Sequence, residues 1–155
     1  MPRGSTGPAL ALCVVLSGCA SAPPADPPSR PAETGSLTVQ VTGFADDSGQ
    51  ALVAVFLDER GWPGDQTLAF GRAVLQIVGG EAQAAFADVP AGPFAVSVFH
   101  DKDLDRELDA NVLRMPTEPY GFSRDARGTF GPPGFDEARL DLLPGEVKQV
   151  TVRVR

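Results

Sequence analysis

The densest chemistry in the chain is one run, His100-Asp101-Lys102-Asp103-Leu104-Asp105-Arg106-Glu107-Leu108-Asp109. Asp101, Asp103, Asp105 and Asp109 fall at positions 1, 3, 5 and 9 of a calcium-loop pattern, in which oxygens on alternate residues wrap a hard cation. Five carboxylates stand against two basic side chains here. Close carboxylate pairs repel by about 1 kcal/mol each even in water, and a bound cation relieves that repulsion. Ca²⁺ is therefore the one cofactor the residues point to, in a weak structural site with Kd about 10⁻⁴ to 10⁻³ M. Two positions depart from the pattern: Arg106 stands where the sharp turn favours glycine, and Val112 where the twelfth position favours glutamate. The competing reading is a solvated acidic turn at a strand end.

His100 is the only histidine. It continues the parity of Phe94, Val96 and Val98, so it leans toward the core at the mouth of a strand. The plain expectation is a partly buried histidine that holds the loop by a hydrogen bond. The sharper one is a general base oriented by Asp101 or another loop carboxylate. Further along, Pro116 to Ser123 and Arg127 to Phe135 interleave aromatics with glycine and proline. Rigid aromatic loops suit sugar or peptide binding by stacking; alternatively, the aromatics plug an open end of the core. The candidate ligand residues are His100, Glu118, Tyr120, Phe122, Phe130 and Phe135. No catalytic residue is assigned.

The remaining reactive residue is Cys19. Arg3 and the apolar run Pro8 to Leu16 form the positive and hydrophobic regions of a secretory signal, too short to span a bilayer. The run ends in Leu16-Ser17-Gly18-Cys19, which resembles the lipobox of bacterial lipoproteins. An aliphatic residue and two small ones precede the thiol that takes a thioether-linked lipid. Residues 1–18 are then signal peptide, and 19–35 are the lipidated cysteine and a spacer. The alternative is an ordinary signal cleaved after Ala20 or Ala22. Acyl chains at about 0.8 kcal/mol per buried CH₂ give lasting attachment, and Ala20 rather than aspartate after the cysteine favours the outer membrane, facing the periplasm. Residues 20–35 hold five prolines and no large apolar side chain. They form a stiff extended spacer of up to roughly 50 Å.

What positions these residues is a string of strands. From Ser36 the pattern alternates, with Leu37, Val39 and Val41 apolar. Ala51 to Leu57 is apolar on both faces, the mark of a central strand. Arg72 to Val78 and Ala82 to Ala87 flank a Gly79-Gly80 hairpin, and Pro93 to Phe99 follows a turn at Val89-Pro90-Ala91-Gly92. Glu137 to Leu142 and Val147 to Val154 flank a hairpin signal at Leu143-Pro144-Gly145-Glu146. A short helix fits within residues 63–71. The expected fold is all-β: a single Ig-like or prealbumin-like sandwich over residues 36–155, of about seven antiparallel strands, with one long loop between the fifth and sixth. That loop, spanning about residues 100–136, has weak strand character and is long enough to suggest function.

Composition narrows the chemistry. The 155 residues carry a net charge of −7, and loss of residues 1–18, whose only charged side chain is Arg3, makes it −8. Such a surface repels phosphate backbones, so nucleic acid is not an expected partner. Both cysteines lie within the first 19 residues, which leaves the domain without disulfide or thiolate chemistry. One histidine is too few for the usual catalytic zinc site, and no Gly-x-Ser-x-Gly nucleophile motif is present.

Several segments resemble the bacterial domain-of-unknown-function 2141 family. They are Gly61-Trp62-Pro63, Pro90 to Val96, Phe99-His100-Asp101, Leu108-Asp109, Glu118-x-Tyr120-Gly121-Phe122-Ser123, Ala126-x-Gly128, and Phe130-Gly131-Pro132-Pro133-x-Phe135. The resemblance runs from about Leu37 to Val154. Family members typically read His-Asp-x-Asn-x-Asn-Gly-Lys-Leu-Asp where this chain has His100 to Asp109; here Asp103 and Asp105 stand in place of the asparagines and Arg106 in place of the glycine. The resemblance implies an exported β-sandwich of the prealbumin or carboxypeptidase-regulatory type and supplies no established activity. The first expectation for function is a non-enzymatic envelope module, held to a membrane by its N-terminal lipid, whose long loop binds a ligand, a cation or a protein. The alternatives are an envelope enzyme acting on glycans through His100 and the loop carboxylates, and an assembly lipoprotein bound through a sheet edge.

Overall fold

The computed structural model describes residues 33–108, 111–112 and 116–155. The expected signal peptide, Cys19, most of the spacer and Asp109 lie outside the described residues. The fold is an all-β sandwich of two sheets. One sheet has three strands in the order β4-β1-β8: β1 (Thr34–Thr42), β4 (Glu81–Pro90) and β8 (Val147–Arg153). The other has the order β3-β2-β5-β6, with β2 (Gln50–Phe56), β3 (Gly71–Leu75), β5 (Gly92–Asp101) and β6 (Tyr120–Phe122); β7 (Leu140–Leu142) pairs with the start of β5.

Alternation builds the core as the residues demand. Leu37, Val39 and Val41 of β1, and Val150 and Val152 of β8 with Val154 just beyond it, turn inward against Val53 and Val55 of β2 and Phe94, Val96 and Val98 of β5. Each is buried, and each such side chain contributes about 1.5–3 kcal/mol on leaving water. The continuous burial of β2 from Ala51 to Phe56 has its cause on the other face of that sheet. There the segment carrying Trp62 and the chain from Tyr120 to Ala138 cover it with a second apolar cluster of Ala95, Phe122, Ala138, Trp62 and Phe135.

Several details differ from the expected layout. The described residues form eight strands, and β1 and β8 run parallel, while the other pairs are antiparallel. The Gly79-Gly80 turn closes only a single bridge, Val78 to Glu81, because β3 and β4 belong to different sheets. Leu143 to Glu146 does form a tight turn (Glu146 N–H to Leu143 O, 3.0 Å). It too carries the chain from one sheet to the other rather than closing a hairpin. Apolar alternation marks the buried face of each strand, but it is blind to the partner that pairs along the edge. The helix expected in residues 63–71 is a single 3₁₀ turn, Gln66–Leu68, and a four-residue helix α1 (Phe135–Ala138) occupies the start of the expected strand Glu137 to Leu142. The Glu137 carboxylate caps α1 by accepting the Gly134 N–H at 2.8 Å, as glutamate in a first helical turn can.

The long excursion is also less loop-like than expected. β6 lies inside it, hydrogen-bonded to β5 in register Ser97 to Phe122 and Phe99 to Tyr120. Three residues punctuated by glycine are too few to show a period of two. Beyond β6, Ser123 fixes the chain: its Oγ accepts the Val96 N–H at 2.9 Å and donates to the Ala138 carbonyl at 2.6 Å, wholly buried.

Candidate functional site

The acidic run begins where β5 leaves its sheet, so alternation sends His100 and Asp101 to opposite faces. His100 lies at the edge of the core, fully buried, with its ring edge-on to Phe44 at 5.0 Å. Its Nε2 is 2.7 Å from the Ser48 carbonyl oxygen. A carbonyl can only accept, so Nε2 is the donor in this bond. Nδ1 has no hydrogen-bond partner among the described residues.

Asp101 faces the other way and is also fully buried. Three donors converge on its carboxylate: Gln50 Nε2 at 2.6 Å, the Leu104 N–H at 2.8 Å and the Arg106 N–H at 3.0 Å. Burial alone would raise its pKa. The hydrogen bonds from Gln50 and from the Arg106 and Leu104 N–H groups outweigh burial and hold it below the usual value. The loop thus wraps around a buried anion. Asp103 accepts the Asp105 N–H at 3.3 Å and Asp105 accepts the Glu107 N–H at 2.7 Å, so each aspartate turns the chain toward the next. Glu118 returns from beyond the excursion to accept the Lys102 N–H at 2.7 Å.

The outcome is that carboxylate oxygens of Asp101, Asp103 and Asp105 lie within 4.8 Å of one another. An all-oxygen, triply anionic donor set suits a hard cation such as Ca²⁺ rather than a thiolate-seeking one. The two departures in the sequence have different outcomes. Arg106 takes φ +68°, the left-handed conformation that glycine would adopt, so the sharp turn is made in spite of its side chain. Leu104 does the same at φ +70°. Val112 is fully exposed and offers no carboxylate.

The candidate ligand residues do not form one group. His100 is sealed in the core, and Asp101 accepts from Gln50 and the loop backbone rather than from the imidazole. Glu118 is buried beside the acidic loop. Tyr120 and Phe122 sit together on β6 with ring centroids 5.6 Å apart, and Phe135 meets Trp62 edge-on at 5.9 Å. Phe130 plugs nothing, since its side chain is wholly exposed. Sequence reasoning passed over Gln50, whose role is visible only from its cross-strand pairing with Asp101. Asp46-Asp47-Ser48-Gly49 reads in sequence as a turn cluster but not as one that touches the loop; Gly49 takes φ +70°, and a Cβ on it would lie 2.2 Å from the Asp101 carbonyl oxygen. That cluster was the available signal for a tight turn beside Gln50. Trp62 is legible in sequence only as part of Gly61-Trp62-Pro63; in the fold it donates Nε1–H to the Pro133 carbonyl at 2.8 Å and so anchors the later part of the excursion.

A family model described as "Uncharacterized protein conserved in bacteria (DUF2141)" matches residues 39–151. No curated protein and no solved structure matches the chain.

Proposed function

The chain belongs to the bacterial DUF2141 family, and from that premise we propose that it is a lipid-anchored, non-enzymatic binding module of the cell envelope whose acidic loop is organised by Ca²⁺. The observation that carries the reading is the convergence of Asp101, Asp103 and Asp105 within 4.8 Å around a loop whose backbone already makes the required turns. Asp101, Asp103 and Asp105 hold the ion, and Asp109 is the further ligand that the spacing supplies. The ion cancels carboxylate repulsion and stiffens the segment joining β5 to β6. Cys19, with Leu16, Ser17 and Gly18 before it, supports acylation and an outer-membrane address facing the periplasm.

Binding is favoured over catalysis because the one histidine is fully buried and bonded to a backbone carbonyl. A general base must come within hydrogen-bond reach of its substrate.

Thermal unfolding of the full chain in EDTA and in millimolar Ca²⁺ tests the ion site. Ca²⁺ is expected to add about 1–3 kcal/mol, and Asp103→Ala to abolish the gain. Equal melting in both buffers removes Ca²⁺ from the account. Labelling cells with a palmitate analogue tests the anchor: the wild-type chain is expected in the membrane fraction with label, and Cys19→Ser without it. An unlabelled wild-type chain refutes lipidation.

A further inference from the structure

A second concave site, about 230 Å³ in volume, lies where β6, the Ser123–Asp125 turn and the end of β8 meet. Its base is closely packed backbone. A Cβ on Gly121 would lie 2.3 Å from the Arg153 carbonyl oxygen, and one on Gly128 would lie 2.3 Å from that of Gly131. Only glycine permits both approaches. Reciprocal hydrogen bonds, Tyr120 N–H to Arg155 O at 3.3 Å and Arg155 N–H to Tyr120 O at 3.1 Å, tie β6 to the residue following β8.

The lining contradicts the charge of the protein as a whole. The chain carries −7, yet this pocket is lined by Arg127, Arg153 and Arg155 against one carboxylate, Asp125. That carboxylate is taken by the guanidinium of Arg155. Arg127 and Arg153 have no side-chain hydrogen-bond or ion-pair partner among the described residues. Elsewhere Arg60 and Arg139 are paired with aspartates. Tyr120 and Phe122 supply an aromatic side to the same pocket.

We propose that this pocket binds a small organic acid, its carboxylate held by Arg127 and Arg153 and its body resting against Tyr120. A planar guanidinium meets a carboxylate with two parallel hydrogen bonds, and an aromatic face accepts the apolar side of a sugar ring or short carbon chain. The volume lies below the ~300–1,000 Å³ of drug-sized sites, which limits the occupant to something like a single uronic acid or a short dicarboxylate. The inference rests on the binding-module reading and gives that module a ligand class. It uses Tyr120 and Phe122 from the aromatic loop together with arginines that are distant in sequence.

Trp62 is the only tryptophan. It donates to the Pro133 carbonyl, and its ring centroid lies 5.5 Å from that of Phe122, in a tilted contact; both residues line the pocket, so its fluorescence reports on occupancy. The full chain is titrated with D-glucuronate, succinate and D-glucose in EDTA, by tryptophan fluorescence and by calorimetry. Saturable binding of glucuronate or succinate, absent for glucose, is expected; which acid binds separates a sugar acid from a simple dicarboxylate. Arg127→Gln and Arg153→Gln, both at exposed positions, are each expected to weaken binding about tenfold or more, and Arg72→Gln to leave it unchanged. No saturable binding of either acid, equal binding of glucose, or full affinity in both pocket variants overturns the proposal. Because Ca²⁺ is absent from these titrations, failure here and failure of the ion site are read separately.

Discussion

Replacing Asp101 by asparagine removes one charge from the centre of the acidic loop while keeping its shape. In the wild-type chain the carboxylate accepts from Gln50 Nε2, the Leu104 N–H and the Arg106 N–H. An asparagine oxygen can keep the Leu104 bond, but its NH₂ then meets two donors. Gln50 can turn its amide and accept instead; the Arg106 N–H cannot. The lasting loss is one charge-assisted bond plus a backbone donor left without a partner, about 2–3 kcal/mol. Urea unfolding of the two full chains in EDTA at pH 7, 5 and 3 measures it. Asp101 has a lowered pKa when folded, so its contribution is complete above the usual carboxylate value of 3.8 and is lost as the pH falls through the lower folded value. The difference between the chains is therefore expected to be the same at pH 7 and 5, and smaller at pH 3. A difference below about 0.5 kcal/mol at pH 7, within the range of ordinary surface substitutions, refutes the hydrogen-bond account. A gap that already shrinks between pH 7 and 5 refutes the direction of the pKa shift.

Gly49→Ala is expected to cost about 2–4 kcal/mol, since it combines a left-handed backbone with a Cβ 2.2 Å from the Asp101 carbonyl; unchanged urea stability would show that the 46–49 turn moves freely from the loop. Ser123→Ala removes two buried bonds and leaves the Val96 N–H without its side-chain acceptor, a loss of about 2–3 kcal/mol by the same measurement. Trp62→Phe keeps an aromatic against Phe56, Phe122 and Phe135 but drops the bond to Pro133. It is expected to cost about 1–2 kcal/mol and to speed trypsin cleavage after Arg127, which gel electrophoresis follows.

The sequence by itself determined which faces are buried. Leu37, Val39 and Val41, and Val150, Val152 and Val154, alternate with polar residues, and a half-buried strand is the only regular element with that period. Aspartates at alternate positions likewise specify a chain that curls on its own carboxylates, and Asp101, Asp103 and Asp105 do so with local bonds two to five residues long. What only the tertiary structure decided is partnership. The parallel pairing of β1 with β8 and the passage of the chain between sheets at Ala91 and at the 143–146 turn depend on edges that no local pattern marks. The same holds for function. His100 had the right chemistry for a base but was turned inward by the parity of its strand and closed off by Phe44 and Ser48. Arg127 and Arg153 are unremarkable in sequence and acquire meaning only where β6 meets β8, because charge acts through distance in space rather than along the chain.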